Sequence, residues 1–173
     1  MSVKRTVLVL SLLTLVVLPG SAVLAEKPGS GPIDLDIIAF RGVVPGETSM
    51  NQTITALGEP NEQRIRHLLV YRELSCYVEL LREKNAVSAI YLFLVPSPDV
   101  LGSPSLYGLQ GNAELAASLG KLYSYKRISA LSGARKTTPT GWEILHVSRS
   151  GRTASFAYEP AKHTLLQVAI SKD

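Results

Sequence analysis

The sequence predicts an α+β protein in which an antiparallel sheet carries short helices packed on one face. Several runs of Leu, Val, Ile and aromatic residues have the length and alternation of strands. Two short amphipathic segments precede two groups of these runs, and Pro-, Gly- and Ser-rich segments separate them. The order of these patterns suggests, without requiring, a tandem pair of βαββ-like halves.

The first 25 residues have the layout of a secretory signal peptide. Lys4 and Arg5 form a positive start, and residues 6–18 form an apolar run. Pro19 and Gly20 then break the helix, and Ala22 and Ala25 supply the small residues of a cleavage site. The run is shorter than the roughly 20 residues that span a bilayer. We therefore expect cleavage near Ala25, with Ala22 as the alternative, rather than an uncleaved membrane anchor.

No cysteine stands at the expected new N-terminus to carry a lipid, so we expect an exported chain that is periplasmic or extracellular and has no transmembrane span. Residues 26–32 read as a flexible leader. Residues 33–173 are long enough for a single α+β domain, with candidate halves at 33–95 and 109–173. The lone Cys76 lies in an apolar run, where a buried, unreactive thiol is expected.

The domain starts with residues 33–40, whose alternation of apolar and acidic residues predicts a half-buried strand. After a turn at Pro45 and Gly46, Ser49 and Gln52 are spaced as a capping box. Apolar residues then fall on one face of a helix of about two turns, at Met50, Ile54 and Leu57. Gly58 is expected to end the helix in the left-handed conformation, and Pro60 prevents its continuation.

Three strand-like runs follow, namely HLLVYREL, CYVELL and AVSAIYLFLV, with Arg82–Ala86 as a hairpin loop. The segment Pro96–Asn112 reads as a connection. Asn112 then caps a second helix, whose apolar stripe is Leu115, Leu119 and Leu122. After a polar connection the chain enters WEILHVS, TASFAYE and TLLQVAIS, which predict three further strands.

The phrase PGETSMNQTITALGEP, placed before a hairpin, resembles the small SmpA/OmlA (BamE) outer-membrane assembly proteins. The matching residues are Gly46, Thr48 or Ser49, Leu57, Gly58 and Pro60. The resemblance covers Gly42–Val95, with an echo over Leu109–Ser171. It implies a fold shared with the beta-lactamase inhibitor proteins, which carry two such units in tandem. The chain departs from the assembly proteins in lacking their lipid-bearing cysteine.

Catalytic and metal-binding patterns are not readable in the sequence. His67, His146 and His163 have no His or Cys at metal-ligand spacing, and no serine lies in a nucleophile elbow. Asp34 and Asp36 would share one face of the predicted strand, where we expect solvated carboxylates. We therefore predict no catalytic residues, no metal and no cofactor.

The segment after the second helix carries the candidate partner-binding residues. Aromatic and basic side chains meet there, a composition typical of protein interfaces: Tyr123, Tyr125, Lys126, Arg127 and Trp142. In the alternative interpretation the aromatic rings fill the core and only the cations reach solvent.

Charge is divided unevenly along the chain. Residues 26–109 hold 7 basic and 10 acidic residues, whereas residues 110–173 hold 9 basic and 4 acidic ones. A basic half can meet an acidic protein or an anionic envelope surface, or it can pair with the acidic half. We expect no nucleic-acid partner, because no basic helix with interleaved aromatics is present.

These patterns lead to three hypotheses of function. The first is an exported, non-catalytic binding or envelope-assembly protein that acts through protein–protein contacts. The second is a secreted inhibitor of an extracytoplasmic enzyme, with the connection Lys121–Gly141 as the loop that enters a cleft. The third is a small hydrolase, which would need His146, Cys76 and an acid to converge in a pocket.

Overall fold

A computed structural model describes residues 31–64, 67–81, 84–95, 109 and 111–173 of the chain. The predicted signal peptide, most of the leader and most of the Pro96–Asn112 connection lie outside these residues. Every helix within the described part falls short of the length and apolar character needed to cross a membrane.

Short helices alternate with groups of strands along the chain. The helices are α1 (Met50–Leu57), α2 (Ala113–Leu122) and α3 (Tyr125–Leu131). The first strands are β1 (Ile33–Asp34), β2 (Ala39–Phe40), β3 (Glu62–Arg64), β4 (Leu68–Tyr71), β5 (Cys76–Leu80) and β6 (Val87–Phe93). The remaining strands are β7 (Ala134–Thr137), β8 (Glu143–Arg149), β9 (Arg152–Tyr158) and β10 (Leu165–Lys172).

The main sheet has eight antiparallel strands in the order β3-β4-β5-β6-β10-β9-β8-β7, and β1 pairs with β2 in a separate hairpin. Each half of the chain contributes one four-stranded meander, and the two meanders meet at their last strands, β6 and β10. Each meander is preceded by helix. This confirms the α+β class with an antiparallel sheet, whereas an origin by duplication stays a prediction.

The main core lies between one face of the sheet and the helices. Inward-facing side chains from both meanders join α1, α2, α3 and the β1–β2 hairpin in one buried cluster. Examples from the sheet are Ile90, Phe156 and Ile170, which are fully buried. On the opposite face, a smaller cluster is confined to the first meander and consists of Leu68, Val70, Tyr77 and Phe93.

Helix α1 begins at the predicted capping box. The backbone N–H of Gln52 donates to the Ser49 side chain, and the Gln52 side chain accepts from the Ser49 backbone N–H. The predicted apolar stripe packs against the core but is only partly buried. The fully buried residue of the helix is Thr53, whose hydroxyl donates to the Ser49 carbonyl at 2.9 Å and so needs no other partner.

Gly58 ends α1 with φ of 88° and ψ of −178°. The positive φ agrees with the prediction, but ψ is extended rather than left-handed helical. This region of backbone space is essentially restricted to glycine. The Gly58 N–H still closes the helix by donating to the Ile54 carbonyl at 2.8 Å.

The prediction of one strand over residues 33–40 is wrong, because a turn divides the segment into β1 and β2. Asp34 explains the break, since its carboxylate accepts hydrogen bonds from the backbone N–H groups of Asp36 and Ile37. Ile38 then adopts a positive φ of 54° and is fully buried. Asp34 and Asp36 therefore do not form a carboxylate pair on a strand face.

Three elements lay outside the sequence prediction. The predicted connection Lys121–Gly141 instead contains the end of α2, all of α3 and all of β7. The inhibitor hypothesis therefore loses the loop assigned to it. Strand β3 was also missed, because it is short and polar and has the exposure of an edge.

A matched pair of glycine substitutions tests the backbone at the end of α1. We expect Gly58→Ala to lower the free energy of unfolding by about 1–3 kcal/mol, because a Cβ is strained at that φ although the space around it is open. Gly120→Ala, inside α2 and equally open, should raise it by about 0.5–1 kcal/mol. Urea unfolding of both variants measures these changes. If both substitutions raised the free energy of unfolding, or both lowered it, the backbone conformation assigned to Gly58 would be contradicted.

Candidate functional site

Tyr123 is a core residue, so it drops out of the predicted partner-binding surface. Its side chain is 2% exposed, and its ring stacks on Phe156 with centroids 5.7 Å apart. The hydroxyl accepts from the Ile33 N–H at 2.9 Å and donates to the Ile33 carbonyl. Burial raises the pKa of Tyr123, so the hydroxyl stays neutral and able to donate. Tyr123 thus holds the β1–β2 hairpin on α2.

Tyr125, the first residue of α3, is half-buried and gathers three polar neighbours. Its hydroxyl donates to the Glu143 carboxylate at the start of β8. Its ring stacks on His163 with centroids 3.9 Å apart and planes inclined by 6°. The Arg135 guanidinium lies 5.6 Å from the ring centroid, within range of a cation–π contact. We call Tyr125, Arg135, Glu143 and His163 the Tyr125 cluster.

Electrostatics in the Tyr125 cluster centre on the Glu143 carboxylate. Its hydrogen bond raises the pKa of Tyr125, because ionised tyrosine could no longer donate to it. Arg135 approaches the same carboxylate at 4.0 Å, the outer limit of an ion pair. The cluster therefore holds its phenol in a fixed orientation and leaves the Arg135 guanidinium mostly in solvent.

The predicted cations Lys126 and Arg127 are both exposed on α3. Arg127 has a structural contact as well, because its guanidinium donates to the Leu122 carbonyl at 2.8 Å and lies 6.0 Å from the Tyr123 ring centroid. It therefore closes the end of α2. Lys126 makes no ion pair within the described residues.

Trp142 is half-buried in the hairpin between β7 and β8. Its backbone exchanges bonds with Thr138, donating to the Thr138 hydroxyl at 3.0 Å and accepting from the Thr138 N–H at 2.9 Å. In the part of the chain that the structure describes, no ring-stacking or cation–π contact joins its indole to the Tyr125 cluster. The predicted surface is thus reduced to Tyr125, Lys126 and Arg127, while Arg135, Glu143 and His163 join it.

His146 and Cys76 do not converge. Cys76 belongs to the helix-facing core, is fully buried, and has a pKa raised to about 12 by that burial. His146 alternates with the core residues Leu145 and Val147, so it lies on the other face of the sheet. The hydrolase hypothesis therefore loses its proposed thiol–histidine pair.

His146 instead contacts Ser155 on β9, with Nδ1 and Oγ 2.9 Å apart. Desolvation, and then the nearby Lys136 ammonium, lower the pKa of His146. The charge acting on the ring is thus a cation, whereas a catalytic triad requires a carboxylate that orients the histidine. Across the described residues, no group of three His, Cys, Asp or Glu side chains is placed to hold a metal ion.

A shallow cleft of about 540 Å³ lies between the β1–β2 hairpin and α2. Its polar lining comes from Asp34, Arg41 and Ser118. One Asp34 oxygen already accepts the backbone bonds of the turn. The opposite charges of Asp34 and Arg41 leave the cleft without a preference for anions or cations.

Comparisons with known proteins add a distant structural likeness. No family model matches the chain, and no curated protein matches it. A solved structure of a DUF4309 family protein, YjgB from Bacillus subtilis subsp. subtilis str. 168, is similar with a TM-score of 0.49 and 12% sequence identity. The similarity covers 78% of this chain and 84% of that one.

The Tyr123 anchor can be tested by removing one oxygen atom. We expect Tyr123→Phe to lower the free energy of unfolding by about 1–3 kcal/mol, because both polar groups of Ile33 lose their buried partner. Tyr125→Phe, at a residue that is only half-buried, should lower it by less. Urea unfolding compares the two, and a larger effect at Tyr125 would contradict the anchor.

The His146 environment predicts a dependence of stability on pH. Because folding lowers the pKa below its ordinary value of 6.5, the unfolded chain takes up a proton first as the pH falls. The associated stability is complete above that value and is lost below it. The free energy of unfolding should fall between about pH 7.5 and about pH 5.5, and the fall should be larger for the wild type than for His146→Gln. An equal fall in both proteins would contradict this assignment.

Proposed function

We propose that this chain is an exported, non-catalytic binding or envelope-assembly protein that acts through protein–protein contacts. The observation that carries the proposal is the set of exposed cations around the half-buried Tyr125, at the β7 end of the sheet. Four basic residues fall on α3 and β7: Lys126, Arg127, Arg135 and Lys136. The export part rests on the signal-peptide layout of the first 25 residues.

These cations are poorly neutralised within the described residues. The ion pair that they make there joins the Arg135 guanidinium to the Glu143 carboxylate, with the nitrogen and oxygen 4.0 Å apart. At the opposite end of the sheet, by contrast, Glu62 pairs with both Arg64 and Arg72, which lowers the pKa of Glu62. A basic region that keeps its charge in the free protein suits an acidic partner surface.

The contact chemistry of this region also fits protein recognition. Arginine and tyrosine are enriched at interfaces, where planar groups combine apolar area with hydrogen bonding. The Tyr125 ring stacks on His163, and the Tyr125 hydroxyl donates a hydrogen bond to the Glu143 carboxylate. A preoriented ring loses little conformational entropy on binding.

Charge reversal tests this proposal. The full chain, exported with its own N-terminal segment, would be used to capture partners from the envelope fraction, with quantitative mass spectrometry as the readout. We expect Lys126→Glu combined with Lys136→Glu to reduce partner capture by at least about tenfold, because attraction to an acidic surface becomes repulsion. Raising the salt concentration should weaken wild-type capture.

The matched control carries Lys84→Glu and Arg149→Glu, which reverse two exposed charges elsewhere. This control should capture partners as the wild type does. Equal capture by both double variants, or the absence of any reproducible partner, would overturn the proposal. Binding to protein-free vesicles of anionic lipid, lost on the same charge reversal, would assign the surface to a membrane instead.

A further inference from the structure

Strand β7 is an edge of the eight-stranded sheet and has β8 as its neighbour on one side. All four of its residues are exposed. The N–H of Thr138 donates to Trp142, and antiparallel pairing alternates from there along the strand. Lys136 and Ala134 therefore direct their backbone groups to β8, whereas Thr137 and Arg135 direct theirs away from the sheet.

The edge is already held in strand geometry. Beyond its two ends, the N–H of Gly133 donates to the His146 carbonyl at 3.0 Å and the N–H of Thr138 to the Trp142 carbonyl at 2.9 Å. The Ser132 hydroxyl, just after α3, also bonds to backbone carbonyls on both β7 and β8. A strand that pairs with β7 would thus meet an ordered template, with little ordering cost on this side.

A second copy of the chain is a poor occupant of this edge. If two copies paired antiparallel with Arg135 of one opposite Thr137 of the other, Lys136 of one would lie opposite Lys136 of the other. If the pairing were centred on Arg135 instead, the two Arg135 residues would lie opposite each other. Like charges directly opposite each other destabilise a strand pair. The register centred on Thr137 sets Arg135 opposite Pro139, which has no N–H to donate.

Charge complementarity selects the occupant. Arg135 extends over the Tyr125 ring on the helix-covered face, and Lys136, next along the strand, lies on the other face beside His146. In the described residues Lys136 makes no ion pair. Two consecutive acidic residues in an extended segment also point to opposite faces, so one can meet each cation.

We propose that β7 accepts an extended segment of a partner protein, carrying two consecutive acidic residues, as a ninth strand of the sheet. Backbone hydrogen bonds to Arg135 and Thr137 would supply affinity, and the paired charges would supply specificity. This inference rests on the proposed function and names the chemistry of its partner.

The test uses the blocked peptide TVEEVTV as probe and TVKKVTV as its charge-reversed match. Fluorescence anisotropy with the full-length protein should show the acidic peptide binding at least about tenfold more tightly. Amide hydrogen exchange, followed by NMR, should slow at Arg135 and Thr137 when the acidic peptide binds. Failure of TVEEVTV to bind, equal binding of the two peptides, or unchanged exchange at these two amides would overturn the proposal.

A pair of substitutions at one position separates strand addition from general charge attraction. Thr137→Pro removes an outward N–H and leaves the β8 ladder intact, since proline is tolerated at an edge whose N–H faces solvent. It should weaken binding of TVEEVTV by about tenfold or more, the equivalent of a lost hydrogen bond, whereas Thr137→Val should bind as the wild type does. Equal binding by all three proteins would overturn the proposal.

The outcome is distinguishable from failure of the proposed function. If the double charge reversal abolishes partner capture and Thr137→Pro does not, the binding function stands and strand addition is wrong. If neither variant affects capture, the proposed function itself fails. Exchange measurements on the wild-type protein decide the matter if Thr137→Pro does not fold. Dimer formation that is lost in Thr137→Pro would assign the edge to a second copy.

Discussion

The pairing of β6 with β10 is the contact on which the rest of this structure depends. Five residue pairs, from Phe93 with Gln167 to Ala89 with Ser171, join two four-stranded meanders into one sheet. The residues of these two strands that belong to the helix-facing core are at most 3% exposed. Without this ladder each meander would end in an unpaired apolar edge, and the core beneath the helices would be open to water.

The residues that stabilise this fold and those of the proposed binding surface lie in different places. The centre of the sheet is covered by the helices and by the hairpin that Tyr123 ties down through both polar groups of Ile33. The exposed cations and the half-buried Tyr125 lie at one margin, where changes of charge leave the central core intact. Charged side chains at such a margin can therefore change while the packed centre stays constant.

Strong local patterns were readable from the sequence, and features that depend on distant contacts were not. The Ser49 capping box, the Asn112 cap and the long apolar strands are encoded within a few residues, so they were predicted. Strands β3 and β7 are polar edges with no periodic apolar signal. The Tyr125 cluster joins α3, β7, β8 and the turn at His163, and its assembly is set by tertiary packing. Alternation at residues 33–40 was misleading, because the turn at Asp34 outweighed the strand pattern.

The position of β10 has a consequence for the order of events in the cell. Residues 165–172 form the last strand in chain order, yet they lie in the middle of the sheet, between β6 and β9. The residues that precede β10 therefore cannot complete the sheet by themselves, because until β10 is available β6 pairs only with β5, on one of its two sides. If the chain is exported, as we propose, the centre of its sheet would close only once residues 165–172 have crossed the membrane.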